Sequence, residues 1–224
     1  MTPVDPLPTL SLRYRDEFIA VADKPHGLPA QSTRDPERPH LFGLLQERFS
    51  YVGLHHRLDT PASGLMLFTL DARANPAIAR AFQARTIARS YHAVVAGDPG
   101  SEGTWTTPID GKSATTRFVR RAKAGGMSLV EAVLETGRTH QIRIHASTAG
   151  HPIIGDRRHG GAAGRLWPRL ALHAWRLQFA HPITGAAIAV TSPTPPDLTG
   201  LWETLGHRCT PATATEETCR DPQS

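Results

Sequence analysis

The chain has 224 residues, with 25 lysines and arginines against 20 acids, and its two cysteines, Cys209 and Cys219, fall within the last sixteen positions. That length fits one large domain able to bury a core without staples; the two cysteines lack zinc-site spacing, and a cysteine-free body fits a reducing cytoplasm. No basic stretch followed by an apolar run opens the chain, and no apolar run nears the ~20 residues of a membrane span, so secreted and membrane classes are set aside.

In chain order, FIAVAD (18–23) predicts a buried strand ended by Pro25 and Gly27. Residues 29–39 form a polar, Pro-containing loop, and 40–49 predict a short amphipathic helix with Leu41, Leu44, Leu45 and Phe49 at helical spacing. LMLFTL (65–70) predicts a strand buried on both faces. Asp71 is placed to cap the next helix, 75–85, with Pro76 in its first turn. IARSYHAVVAG (87–97) predicts a strand, residues 104–121 two more, and 127–135 another. TGRTHQIRIHASTAGHP (136–152) predicts a helix with Ile142, Ala146 and Ala149 as its core stripe, Gly150 as its C-terminal cap and Pro152 forbidding continuation. Late strands follow at 169–180 and 186–192. The expected organisation is one α+β domain over residues 1–206, with strands in runs building a largely antiparallel sheet, and a disordered Pro/Thr/Glu-rich tail at 207–224.

Arginine outnumbers lysine 22 to 3, and three windows, 72–97, 111–130 and 157–196, carry positive charge and no acid. Such clustering points to a polyanionic partner, nucleic acid first, or to solvated faces of an arginine-rich chain.

Three segments could carry chemistry. In HRLDTPASG (56–64), Asp59 is either a carboxylate nucleophile held ionised by Arg57, whose side chain shares a side with it in an extended segment, or a turn-former with Thr60 and Pro61. HRLD superficially matches a kinase catalytic loop, but no Gly-rich loop or DFG accompanies it. In GRTHQIRIH (137–145), Arg138 and Arg143 sit near a helix start, where anions are favoured. No acid lies between Glu135 and Asp156 to complete a metal site with His140 and His145. In RSYHAVVAG (89–97), Tyr91 is a core residue or a stacking platform for a nucleobase.

Taken together these segments resemble the RluA-type pseudouridine synthases. HRLDTPASG matches the first family motif, and the K-P-x-G-L turn is matched at Lys24 to Leu28. RSYHAVVAG, TGRTHQIRIH, GHPIIGD (150–156), RLALHA (169–174) and HPITG (181–185) follow in the family order, so the resemblance spans roughly residues 12–192. It implies a central, mainly antiparallel mixed sheet with flanking helices and an active-site cleft. It also implies isomerisation of uridine to pseudouridine in ribosomal or transfer RNA, without cofactor or metal. By motif position it places the catalytic carboxylate on Asp59, the base-stacking tyrosine (and proton acceptor) on Tyr91, and the arginine paired with the carboxylate on Arg143. Arg57 falls on the arginine that displaces or holds the target nucleotide, and Lys24, Arg138 and His140 fall among the substrate-contacting positions. Ala62 stands where the family usually has Thr; Thr60 is the candidate to replace that hydroxyl. With about a dozen residues before the first match, no S4-type RNA-binding domain is expected, and the basic, Gly-rich loop 155–169 is expected to be either a target-selecting element or a flexible insertion. A cytoplasmic monomer is expected. Two other classes compete: a non-catalytic RNA-binding module on the same fold, disfavoured by retention of Asp59, Tyr91 and Arg143 together, and a glycosidic-bond hydrolase, disfavoured because no second carboxylate accompanies Asp59.

Overall fold

The computed structural model describes residues 10–206, so the predicted tail at 207–224 lies outside the described residues. Within them, ten strands form one sheet: β1 Ser11–Arg15, β2 Ile19–Lys24, β3 Gly53–Leu54, β4 Ser63–Thr69, β5 Ala88–Ala96, β6 Glu102–Trp105, β7 Thr116–Ala124, β8 Met127–Leu134, β9 Leu172–Ala180 and β10 Ala187–Thr191. Four α-helices accompany it: α1 Leu41–Gln46, α2 Asn75–Gln83, α3 Gln141–Thr148 and α4 Pro196–Thr204. The sheet runs β1-β2-β4-β9-β5-β8-β7-β6, with β3 paired to β4 and β10 to β9. Every pairing is antiparallel except β4 with β9, so the expected α+β, mainly antiparallel mixed sheet is present.

β4 explains why its sequence reads as an apolar run instead of an alternation. Met66 and Phe68 join one core cluster and Leu65 and Leu67 the other, so both faces are covered. The β4–β9 contact is short, pairing Ser63 with His173 and Gly64 with Ala174. Beyond it the two strands part: β4 continues against β3 and β9 against β10. Gly64 is required at the crossing. Its φ is +114°, and a Cβ there would lie 2.3 Å from the Ala174 carbonyl oxygen. Ala174 in turn pairs with Tyr91 on β5. One row across three strands therefore brings the end of the HRLDTPASG segment beside the tyrosine.

Three expectations change. α3 begins at Gln141, not Thr136, because Gln141 turns its side chain back on the preceding residues: its Oε1 accepts from Thr136 Oγ1 (2.7 Å) and Arg138 N (2.9 Å). At its other end the helix closes as predicted. Gly150 takes φ +82°, Gly150 N donates to Ser147 O and His151 N to Ala146 O, the two bonds of a Schellman cap. Ala149 lies past the last turn and is exposed, so the core stripe reduces to Ile142 and Ala146. β1 is a strand although its sequence is polar, because it is an edge whose Arg13 pairs across to Asp23 at 2.8 Å. α4 was not foreseen; it buries Leu198, Leu201 and Trp202.

Candidate active site

Residues 55–62 leave β3 and return to β4 as a loop held by main-chain bonds. Ala62 N donates to Asp59 O (3.0 Å), closing a turn, and Gly27 N donates to Thr60 O (2.8 Å). The turn thus uses the Asp59 carbonyl, and the carboxylate is free to point elsewhere. It meets Arg143 Nη1, which donates to Asp59 Oδ2 at 2.8 Å across 84 positions of sequence. Arg57, by contrast, is exposed and makes no ion pair with Asp59.

Arg143 is itself held. Its Nε and Nη2 donate to the two oxygens of Asp156, each at 2.8 Å, leaving Nη1 for Asp59. This bidentate grip fixes the plane of the guanidinium. Asp156 is 1% exposed, and its Oδ1 also accepts from the amides of Arg158 and His159, both at 3.0 Å. Burial by itself would raise the Asp156 pKa, but Arg143 and these amides hold it below the usual carboxylate range. His140 completes the surroundings. It sits at φ +55°, its Nε2 is 3.7 Å from Asp59 Oδ1, and its Nδ1 is 3.0 Å from His159 Nε2. Burial outweighs the attraction of Asp59 and lowers its pKa, so the contact is a polar approach by a neutral imidazole.

Asp59, Arg143 and His140 line a cavity of about 480 Å³ with Tyr91, Leu172, Arg57, Arg89 and Arg138. Tyr91 is 6% exposed. Burial pushes its phenol up, Arg89 opposing and Asp59 reinforcing, so the ring is neutral at physiological pH. The cavity offers a carboxylate, a guanidinium paired with it, a flat apolar ring and peripheral cations. That set suits a planar, neutral heterocycle on an anionic backbone. Among the described residues no three His, Cys, Asp or Glu side chains gather to hold a metal ion.

A family model described as RNA pseudouridylate synthase matches residues 19–148. An uncharacterized RNA pseudouridine synthase of Mycobacterium bovis is 35% identical over 88% of this chain and 73% of its own. The ribosomal large subunit pseudouridine synthase D of Pseudomonas aeruginosa is 35% identical over 86% of this chain and 70% of its own. The chain belongs to the RluA-type RNA pseudouridine synthases. Among solved structures, Human RNA Pseudouridylate Synthase Domain Containing 1 matches this synthase with a TM-score of 0.73 and 26% identity, covering 96% of this chain and 94% of that one.

In this synthase Lys24 stands apart from the cavity, which corrects its expected place among substrate contacts. It is 0% exposed, and its Nζ donates to the carbonyls of Pro25, Leu28, Thr60 and Ala62 at 2.6–3.2 Å. Its ammonium clamps the K-P-x-G-L turn to the Asp59 loop, and no donor faces a ligand. Burial, with Arg169 nearby, pulls its pKa well below that of free lysine. Arg138 lines the cavity while its Nε donates to Ser113 O at 3.1 Å. Ala62 is also explained. It is 2% exposed in the apolar core, and the loop is shaped by its N–H and C=O, so the side-chain hydroxyl expected there has no replacement in Thr60, which contributes its carbonyl.

Two positioning groups carried no assigned role in the sequence reading. Asp156 closes the matched GHPIIGD motif, and an acid ending such a motif was the available signal. Ser63 Oγ accepts from Arg169 Nη2 (2.7 Å) and lies 3.0 Å from His173 Nδ1, a buried junction between segments 106 and 110 residues apart that no spacing rule exposes. The acid-free windows also change meaning in space. Arg120 and Lys123 meet Asp98, Arg121 meets Glu131, Arg117 meets Glu135 and Arg169 meets Asp197. Among the described residues, the arginines left without an acid partner include Arg57 and Arg85 at the cavity and Arg157 and Arg158 beside it.

Proposed function

We propose that this synthase isomerises uridines in ribosomal RNA to pseudouridine without a cofactor, with Asp59 as the acting carboxylate. The observation that carries this reading is the Asp59–Arg143 contact of 2.8 Å at the wall of a cavity that also contains Tyr91. The bond from C1′ to N1 breaks, the uracil turns, C1′ joins C5, C5 loses its proton and N1 gains one. Asp59 acts at the sugar, by adding to C1′ or by removing a sugar proton; both routes need it aimed, and the hydrogen bonds from Arg143 to Asp59 and Asp156 support that reading. Tyr91 supports the loosened base against its ring and, by its position in the family motif, is the candidate to handle the C5 proton. The base must leave its stack to enter, a cost of about a few kcal/mol, which phosphate contacts to Arg57, Arg85 and Arg89 offset. The relatives named for the large ribosomal subunit support ribosomal RNA as the substrate class.

The test follows tritium from uridine C5 in an unmodified large-subunit ribosomal RNA transcript. Wild type should release label to water, and Asp59→Asn should fall to background. Release by the variant at the wild-type rate would remove Asp59 from the mechanism.

A further inference from the structure

Asp59 and Arg143 stand at the boundary between two cavities. The first contains Tyr91. The second, about 600 Å³, lies against the same side chains and is walled by residues 26, 27 and 29–33, by Thr60 and Pro61, and by parts of the segment 155–170. The two share Arg57, Leu58, Asp59, Thr139, His140 and Arg143. Its size is within the range of about 300–1,000 Å³ typical of sites for small molecules.

Chain continuity gives this second space a meaning. A uridine with C1′ at Asp59 and its base beside Tyr91 has its sugar at the shared wall. The RNA strand must then leave along that wall in both directions, and the second cavity begins within one internucleotide linkage of it. The surroundings suit a nucleotide. Arg157 and Arg158 line the cavity, are exposed and have no acid partner among the described residues, whereas Arg169 in the same wall is already engaged by Asp197 and Ser63. Pro29, Pro61 and Pro168 supply rigid apolar surface for a base.

The segment that carries these arginines is built, not loose. Asp156 anchors it to Arg143 and caps it with the two amides already described. Gly155 N donates to Ala163 O, Gly160 N to Asp156 O, and Ser147 Oγ to His159 O. A Cβ at Gly160 or Gly164 would fall 2.4 or 2.5 Å from the Asp156 carbonyl oxygen, so the backbone is packed around that residue. Two arginines without an acid partner among the described residues are thus carried on a packed backbone next to the acid that orients Arg143.

We propose that the second cavity binds the nucleotide adjoining the target uridine, with its phosphate on Arg157 and Arg158 and its base against the proline surface. This rests on the synthase reading above, and the experiment separates the two. Tritium release from the C5-labelled transcript is measured across a salt series for wild type, Asp59→Asn, and Arg157→Ala combined with Arg158→Ala. The double variant should lose about tenfold or more in kcat/KM through KM, with kcat within about twofold. The salt slope of log kcat/KM should fall by about 1–2, the loss of one or two phosphate contacts. An unchanged thermal midpoint shows that the fold is kept, and replacing both arginines by lysine should restore the slope. In a synthetic RNA spanning the mapped target, removing the base on one side of the uridine should raise wild-type KM about tenfold. Wild-type KM and salt slope in the double variant, or equal KM with either neighbouring base removed, overturns the proposal while Asp59→Asn still tests the synthase reading. Absence of release by wild type overturns both.

Discussion

Tyr91 and Lys24 are both buried, both sit in matched motifs, and differ in what their polar atoms face. Tyr91 presents its ring to the cavity that holds Asp59, and its phenol is raised by burial. Tyr91→Phe keeps the stacking face and removes the hydroxyl. RNA binding should therefore stay within about twofold while tritium release drops by about 10²–10⁴, the usual contribution of a positioned proton-transfer group, here a neutral phenol relaying the proton; a rate near wild type would restrict Tyr91 to stacking. Lys24 faces four carbonyls and no cavity. Lys24→Met removes the donor those carbonyls share, Thr60 O keeping its bond from Gly27 N, and stability should fall by about 1–3 kcal/mol in urea unfolding. The salt slope of RNA binding should not move, whereas a phosphate-contacting lysine would reduce it. Motif position marked both residues as important, but the direction of a side chain relative to a cavity is a property of the folded backbone and could not be read from spacing.

The elements that were legible are those with strong local signals. β4 and β5 are long apolar or β-branched runs, α2 has Pro76 at its start, and α3 ends at Gly150, where backbone geometry favours glycine. β1, the start of α3 and α4 were missed because their limits depend on partners: an edge pairing with β2, the Gln141 side chain, and a core that receives Trp202. The β4–β9 crossing is of the same kind. Gly64→Ala should destabilise the fold by more than about 3 kcal/mol or leave it insoluble, since the added Cβ meets main chain 2.3 Å away and φ is +114°. Gly125→Ala, at a positive φ with nothing within 4 Å, should cost about 1 kcal/mol. Equal thermal midpoints for the two variants would contradict the close approach of β4 to β9.

The sheet joins the cavity to a buried polar junction, and that junction makes the protein sensitive to acid. His173 is 1% exposed, and burial lowers its pKa to about 4, Asp23 opposing and Arg169 reinforcing. An unfolded chain takes up this proton near about 6.5, and the folded chain only near about 4. The stabilising contribution is complete above about 6.5 and is lost as pH falls towards about 4, because the unfolded state then binds the extra proton. Urea midpoints should therefore decline over that window, and His173→Asn should decline less steeply; parallel declines would remove His173 from the acid response. The net positive charge has a comparable division. Part of it meets Asp98, Glu131, Glu135 and Asp197, and Arg57, Arg85, Arg157 and Arg158, which line the two cavities, have no acid partner among the described residues.

The amino-acid order carried the family and the α+β class, because motif residues and hydrophobic runs are local and survive as written. It also carried the doubt about Asp59, since spacing allows Arg57 as easily as Arg143. Tertiary structure decided that question: Asp59 uses its carbonyl for the turn and its carboxylate for Arg143, which Asp156 orients from thirteen residues further on. It also decided that Lys24 is a clamp, that Ala62 belongs to the core, and that Arg157 and Arg158 stand beside a second cavity. Each of these depends on which groups are brought within about 3 Å and which are shut off from water, and strand pairing between distant segments sets both.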